Sequence, residues 1–205
     1  MTKVKICGLM EVQHVKAAVS AGADAIGFVF APSKRLVSIA QAQELAKHVP
    51  DGVLKIGVFV NPTAEELRAA VEGVPLDYVQ YHGEETPDFI CEQGYPAIKA
   101  LSVRSAEDVQ AAVQYDVDYY LFDAPGTDFK GGSGHTFDWT LLETAGIPKE
   151  KLILAGGLKQ ENISEAVSLV TPFMVDVSSG VETDGVKDIE KIKGFLQAAK
   201  KERVK

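Results

Sequence analysis

Short apolar runs rich in β-branched residues recur along the chain, and stretches with helical spacing lie between them. Runs of this length, bounded by turn-forming residues, are typical of strands. Strands that alternate with helices at this spacing predict βαβ units and a parallel sheet. The eight predicted strands are Val4–Cys7, Ala25–Phe30, Leu54–Val60, Tyr78–His82, Ala97–Val103, Tyr119–Asp123, Leu152–Leu154 and Phe173–Val177.

The intervening segments carry the start and stop signals of helices, with Ser38, Thr63, Thr86 and Ser105 as candidate N-caps. Eight strand–helix units predict an α/β protein, a single-domain (β/α)8 TIM barrel over residues 1–205. An open doubly wound sheet is the alternative, but it often has GxGxxG after its first strand, which is absent here. The predicted helices are Glu11–Ala21, Ile39–Val49, Ala64–Val71, Pro87–Gln93, Ala106–Val113, Phe137–Thr144, Glu161–Val170 and Lys187–Lys200.

Polar side chains fall on one face of several strands, near the strand ends. Because side chains alternate between the two faces of a strand, Lys5 and Cys7 share a face, and Asp176 shares one with Ser178. In a barrel this face points inward, and its late positions lie at the C-terminal mouth where such enzymes keep their sites. The side chains expected to converge there are Cys7, Asn61, His82, Asp123 and Ser178.

Lys5 has two interpretations. The first and eighth strands are neighbours in a barrel, so Lys5 and Asp176 could form a buried ion pair with no chemical task. The ammonium of Lys5 also lies beside Cys7 on the same face, where a cation favours the thiolate.

Two glycine-rich turns follow the seventh and eighth strands, Ala155-Gly156-Gly157-Leu158 and Ser178-Ser179-Gly180-Val181. Glycines let backbone amides approach an anion closely, and phosphate sites on these two loops are common in barrels. We therefore predict a phosphate site formed by Gly156, Gly157, Ser178, Ser179 and Gly180.

Two other loops are candidate parts of the site. The second strand is followed by the loop Ala31-Pro32-Ser33-Lys34-Arg35. Its Arg35 is either a solvated turn residue or a residue whose guanidinium binds a carboxylate through two hydrogen bonds. The segment from Ala124 to His135 follows the sixth strand and is long and glycine-rich, which is typical of a mobile lid over a site.

Composition narrows the ligand class. The net charge of −8, with scattered basic residues, argues against a nucleic acid or an acidic membrane surface as partner, and leaves room for a local cationic pocket. The two cysteines, Cys7 and Cys91, form no disulfide framework or zinc motif and are typical of a cytoplasmic protein. No run approaches the ~20 apolar residues of a membrane span. We expect a small phosphorylated ligand, no metal, and either a monomer or a homodimer.

Motifs spread from residue 3 to about 195 resemble, in order, those of the phosphoribosylanthranilate isomerase family. Taken together they are highly specific, and they depart from the family only at Asp184-Gly185, where a Pro is expected before the Gly. The motifs are Lys5-Ile6-Cys7-Gly8, Phe28-Val29-Phe30 with Ser33 and Arg35, Gln80 with His82-Gly83, Phe122-Asp123, Gly131-Gly132-Ser133-Gly134 with Phe137-Asp138-Trp139, Ala155-Gly156-Gly157-Leu158 and Asp176-Val177-Ser178-Ser179-Gly180-Val181-Glu182.

The resemblance implies a cofactor-free Amadori rearrangement in tryptophan biosynthesis, with Cys7 as general base and Asp123 as general acid. It also implies that Arg35 binds the anthranilate carboxylate and that the two glycine turns bind the phosphate. The expected substrate-binding residues are Arg35, His82, Lys5 and Asp176.

Other classes remain open at this point. A ribulose-phosphate epimerase would need metal-binding His and acidic residues on several strands, whereas His82 is the only histidine on the polar face. An imidazole-pathway sugar isomerase would place Asp where Cys7 stands. A non-catalytic phosphometabolite-binding barrel would keep the glycine turns without a reason to keep Cys7 and Asp123.

Overall fold

Eight parallel strands close into a barrel in the computed structural model, which describes residues 1–125 and 137–201. Each strand pairs with the next along the chain, and β8 closes the ring by pairing with β1. The predicted barrel is confirmed, and every strand begins and ends within one residue of its predicted bounds. The strands are β1 Lys3–Cys7, β2 Ala25–Val29, β3 Leu54–Phe59, β4 Tyr78–Tyr81, β5 Ala97–Ser102, β6 Tyr119–Asp123, β7 Leu152–Leu154 and β8 Met174–Val177.

Seven α-helices cover the outside of the barrel in the described ranges. The side-chain oxygens of Ser38, Thr63 and Thr86 each accept a hydrogen bond from a backbone amide three residues later, so these predicted N-caps are present. The helices are α1 Val12–Ser20, α2 Ile39–Ala46, α3 Ala64–Gly73, α4 Pro87–Gln93, α5 Ala106–Gln110, α6 Ile163–Val170 and α7 Ile189–Ala199. None of those in the described part of the chain is long and apolar enough to cross a membrane.

Several segments differ from the predicted helices. The second ends at Ala46 rather than Val49, and α5 ends at Gln110, where a 3-10 helix, Ala111–Gln114, continues it. A 3-10 helix, Trp139–Ala145, stands in place of the helix predicted over Phe137–Thr144. The helix predicted from Lys187 begins at Ile189 instead, because the side chain of Asp188 accepts hydrogen bonds from the amides of Glu190 and Lys191 and caps it there.

A small hairpin precedes that last helix, formed by β9 Glu182–Thr183 and β10 Val186–Lys187. Its two turn residues, Asp184 and Gly185, both have positive φ, at 51° and 80°. This is the type I′ geometry that Asp-Gly favours in tight hairpins. Because Pro fixes φ near −65°, a Pro at position 184 could not adopt the φ that Asp184 has in this type I′ turn.

The N-terminal half of the barrel interior is filled by apolar side chains. Tyr119 packs against Tyr78 edge-on and against Phe173 face-on, with ring centroids 5.5 and 4.8 Å apart, and closes the N-terminal end. The buried side chains above this aromatic layer are Ala25, Ile56, Ile98, Ala100, Leu121, Ile153 and Met174. Inward-facing polar groups therefore collect toward the C-terminal ends of the strands.

Candidate active site

A cavity of about 910 Å³ opens at the C-terminal ends of the strands. Two residues expected at the site, Lys5 and Asn61, do not line this cavity, and Lys5 is fully buried beneath it. The predicted residues that do line it are Cys7, Arg35, His82, Asp123, Gly156, Gly157, Asp176, Ser178, Ser179 and Gly180. Residues 126–136, which hold most of the predicted lid, lie outside the described residues.

Cys7 ends β1 at the edge of the cavity. Its sulfur lies so close to the backbone of the neighbouring strand that a Cβ on Gly27 would come within 2.8 Å of it. Burial raises the pKa of the Cys7 thiol, and the ammonium groups of Lys5 and Lys187 only partly offset this. Lys5 therefore acts in the expected direction, toward a lower pKa of Cys7, but desolvation outweighs it.

Lys5 lies under the cavity floor and binds two partners. Its Nζ donates to Asp176 Oδ2 at 3.1 Å and to Gln80 Oε1 at 2.9 Å. Burial opposes its charge, but the interactions with Asp176 and Cys7 outweigh burial and raise the pKa of Lys5. Lys5 is therefore a fixed cation that forms the anticipated ion pair with Asp176 and also acts on Cys7.

Asp176 has one oxygen left over. Its Oδ2 accepts from Lys5, whereas Oδ1 is buried without a hydrogen-bond partner among the described residues. A buried, unpaired carboxylate oxygen is costly. Because Asp176 lines the cavity, this oxygen is available to a hydroxyl of a bound molecule.

His82 connects two functional strands. Its Nε2 lies 3.4 Å from Asp123 Oδ2, and its Nδ1 lies 3.1 Å from Gln80 Nε2. Asp123 ends β6 and is buried, roughly across the mouth from Cys7. Gln80 is fully buried and was not among the predicted site residues, although alternation puts it on the same face as His82. Its position two residues before His82 is the signal that could have identified it.

Asn61 does not lie with these residues, contrary to the expectation from alternation. On β3 the face that meets the cavity is apolar and carries Val58 and Val60. The register sets this face, because Val58 pairs with Gln80 of the next strand. Asn61 turns out of the strand with a φ of 49°, and its Oδ1 accepts a hydrogen bond from the amide of Glu84.

Arg35 lines the cavity, and part of its guanidinium group already binds another residue. Its Nε and Nη2 donate to the two carboxylate oxygens of Glu182, at 2.6 and 2.9 Å. Lys187 also donates to Glu182 Oε1, at 2.8 Å. Although burial favours the neutral acid, hydrogen bonds from Arg35 and Lys187 bring the pKa of Glu182 to about 2. Burial itself lowers the pKa of Lys187, against the pull of Glu182.

Sequence patterns did not assign roles to Glu182 or Lys187, because neither lies on a strand of the barrel. The hairpin β9–β10 brings them together, and two bonds of the five-donor guanidinium then fix Arg35. The remaining donors of Arg35, on Nη1 and on Nη2, are left for a carboxylate in the cavity.

The two glycine turns meet at one side of the cavity. Gly156 and Gly157 have φ of 86° and 62°, which other residues adopt with strain. A Cβ on Gly180 would overlap the carbonyl oxygen of Leu158, so the two turns touch through their backbones. The hydroxyl of Ser178 is used internally, donating to the Cys7 carbonyl at 3.2 Å. A phosphate here would therefore bind mainly to backbone amides.

Replacing Gly180 with alanine should raise KM for a phosphorylated substrate by roughly 10- to 100-fold, because the added methyl forces the two turns apart. Gly194→Ala is the matched control. Its Cβ would meet only the end of the Gln160 side chain, and it lies within α7, where alanine is favoured. Steady-state kinetics with both variants test this, and an unchanged KM in Gly180→Ala would exclude the predicted phosphate site.

The family model for "N-(5'phosphoribosyl)anthranilate (PRA) isomerase" matches residues 4–198. The chain belongs to this family. The N-(5'-phosphoribosyl)anthranilate isomerase of Listeria monocytogenes is 51% identical over 197 residues, covering 96% of this chain and 98% of the relative. That of Streptococcus mutans is 52% identical over 201 residues, covering 98% and 100%.

Solved structures of phosphoribosylanthranilate isomerases have the same fold. The enzyme of Thermotoga maritima is 38% identical, with a TM-score of 0.89 over 98% of this chain and 99% of its own. A second structure, 37% identical with a TM-score of 0.86 over the same shares, contains reduced 1-(o-carboxyphenylamino)-1-deoxyribulose 5-phosphate. A 3-hexulose-6-phosphate synthase, 15% identical with a TM-score of 0.67, shares the fold alone.

Proposed function

We propose that this chain converts N-(5'-phosphoribosyl)anthranilate to 1-(o-carboxyphenylamino)-1-deoxyribulose 5-phosphate, an Amadori rearrangement of tryptophan biosynthesis. Membership of the isomerase family supports the reaction. The observation that carries the mechanism is the position of Cys7 and Asp123 in one cavity, which also contains both glycine turns. One side chain can remove a proton and the other can deliver one to the same bound sugar.

The reaction needs these two groups in turn. Asp123 gives its proton to the ribose ring oxygen, the bond from that oxygen to C1 breaks, and the anthranilate nitrogen supplies the electrons that form a C1 iminium. The Cys7 thiolate then takes the proton from C2, and the electrons of that bond neutralise the iminium as an enolamine. Tautomerisation of the enolamine gives the ketose. The cations Lys5 and Lys187 stabilise the thiolate.

The remaining predicted residues have distinct binding roles in this proposal. The free Oδ1 of Asp176 accepts a sugar hydroxyl, and the backbone amides of the two glycine turns bind the phosphate. Lys5 acts through its neighbours, since it lies below the cavity. His82 faces the cavity beside Asp123, where it can contact the sugar as well as the acid.

Arg35→Ala should raise KM by roughly 10- to 100-fold with a smaller change in kcat, because a charged hydrogen bond to the substrate carboxylate is worth about 1.5–3 kcal/mol. The matched control is Arg104→Ala, at an exposed arginine. An aniline analogue of the substrate, which lacks the carboxylate, separates the two roles of Arg35. Its KM should be equal in wild type and Arg35→Ala; an equal rise with both substrates would leave Arg35 only its structural pairing with Glu182.

Complementation of a tryptophan auxotroph that lacks this isomerase, together with turnover of N-(5'-phosphoribosyl)anthranilate by the purified chain, tests the proposed function. We expect growth without tryptophan and conversion without added metal or cofactor. Soluble protein that binds the substrate but neither complements nor turns it over would favour the non-catalytic binding barrel.

Three further expectations stay predictions. One related structure is described as a dimeric enzyme converted to monomers. For this chain, monomer and homodimer both remain predictions, as do the single catalytic domain over residues 1–205 and the cytoplasmic location.

A further inference from the structure

A chain of four polar side chains runs from Lys5, beneath the cavity, to the proposed acid in the cavity wall, through two hydrogen bonds and one longer contact. It begins at Lys5 Nζ, which donates to Gln80 Oε1 at 2.9 Å. The other end of the same amide, Gln80 Nε2, lies 3.1 Å from His82 Nδ1. On the far side of the ring, His82 Nε2 lies 3.4 Å from Asp123 Oδ2.

The direction of every bond in this chain follows from its first member. An ammonium has only donors, so the atom of Gln80 that faces Lys5 must be the carbonyl oxygen. The amide NH2 of Gln80 must then face His82, and because it can only donate, Nδ1 of the ring must accept. A neutral imidazole carries one hydrogen, which is therefore on Nε2 and directed at Asp123.

The chain is also held in place. Lys5 and Gln80 are both fully buried, so the amide has little freedom to turn over. Lys5 keeps its charge, because its Nζ also binds Asp176 Oδ2 at 3.1 Å. A neutral lysine could accept a hydrogen bond and would lose this control over the amide.

We propose that Gln80 is a positioning residue that fixes His82 as the Nε2–H tautomer, so that His82 can donate a hydrogen bond to Asp123 and cannot accept its proton. The tautomer itself does not depend on the proposed function; only its effect on catalysis rests on that function. The proton of Asp123 is then delivered to the substrate, and the carboxylate left behind is stabilised by the His82 N–H. With the opposite tautomer, the lone pair of Nε2 would draw that proton away from the sugar.

Long-range 1H–15N NMR of the whole protein reads the tautomer directly. The signals of His82 among the four histidines are assigned by their loss in His82→Asn. At a pH where the ring is neutral, we expect a pyridine-type Nδ1 and a pyrrole-type Nε2. The reverse pattern in the wild-type protein would overturn the proposal, whether or not any variant folds.

Gln80→Glu removes the hydrogen-bond donor that faces His82 and leaves the shape of the side chain almost unchanged. A carboxylate has no donor, so Nδ1 should become protonated, as the other tautomer or as the imidazolium. We expect kcat to fall on the order of 10- to 100-fold, with the Kd of the reduced product analogue within about threefold of wild type. Gln43→Glu, the same change at an exposed position, should alter neither the His82 signals nor kcat.

Each outcome is decisive. If Nδ1 of His82 stays unprotonated in Gln80→Glu, Gln80 does not set the tautomer. If the tautomer changes and kcat does not, the tautomer has no part in the chemistry. Should wild-type protein fail to turn over the substrate, the proposed function fails, while the NMR result still decides the tautomer. If Gln80→Glu does not fold, the His82 tautomer of the wild-type protein decides the proposal alone.

Discussion

Replacing Cys7 with alanine, or Asp123 with asparagine, should lower kcat by on the order of 10²- to 10⁴-fold, the range that one positioned acid or base contributes. Alanine leaves nothing to take the C2 proton. Asparagine keeps the shape of Asp123 and has no acidic proton for the ring oxygen. Both side chains line the cavity at strand ends, so neither change removes a backbone contact that shapes it.

Binding of the reduced product analogue, measured by calorimetry, separates lost chemistry from lost structure. We expect its Kd to stay within about tenfold of wild type in both variants, because the phosphate turns and Arg35 are intact. Cys91→Ala and Asp51→Asn make the same chemical changes at exposed positions and should have full activity. Full activity in either Cys7→Ala or Asp123→Asn would remove the acid–base assignment.

Much of the barrel and of its mouth could be predicted from the sequence, because parallel strands buried on both sides have few ways to accommodate polar groups. Alternation placed Cys7, Asp123 and Asp176 correctly, since each is the polar member of a strand whose other face is apolar. It misplaced Asn61, because both faces of β3 are apolar near the end of the strand, with Val58 on one and Phe59 on the other, and polarity there could not say which one points inward. Only the register with Gln80 decides that question.

Contacts between distant loops are what the sequence could not supply. Arg35 and Glu182 are 147 residues apart, and no local pattern indicates that they pair. The hairpin that presents Glu182 depends on one Asp-Gly turn within a segment that otherwise has helical spacing. The net effect on Cys7 was equally out of reach, because the favourable influence of Lys5 had to be weighed against burial.

A further buried ion pair was not predicted, and it lies outside the barrel wall. Lys99 Nζ is 2.8 Å from Glu85 Oε2, and their side chains are only 3% and 1% exposed. Lys99 points away from the cavity on β5, and it also donates to the carbonyl of Gly83 at 2.8 Å. The carboxylate of Glu85 accepts from the amides of Gly83 and Asn61. The pair thus fastens the loops that follow β3 and β4, next to His82.

Lys99→Met should therefore reduce the free energy of unfolding by about 3–5 kcal/mol, because it leaves the Glu85 carboxylate buried without its cation. Urea unfolding followed by circular dichroism measures this difference in free energy. The m value, the slope of the free energy against urea concentration, should be the same in both proteins. Lys193→Met is the matched control: its pair with Glu190 is 53% and 81% exposed, so the loss should be below about 1 kcal/mol.

The double variant Lys99→Met/Glu85→Gln shows whether the unpaired charge is the cause. Removing the carboxylate as well should recover part of the lost stability, because the buried group left behind is neutral and its oxygen can still accept a hydrogen bond from Gly83 or Asn61. If Lys99→Met loses less than about 1 kcal/mol, the pair does not hold these loops. If the double variant is less stable than Lys99→Met, packing rather than charge explains the loss.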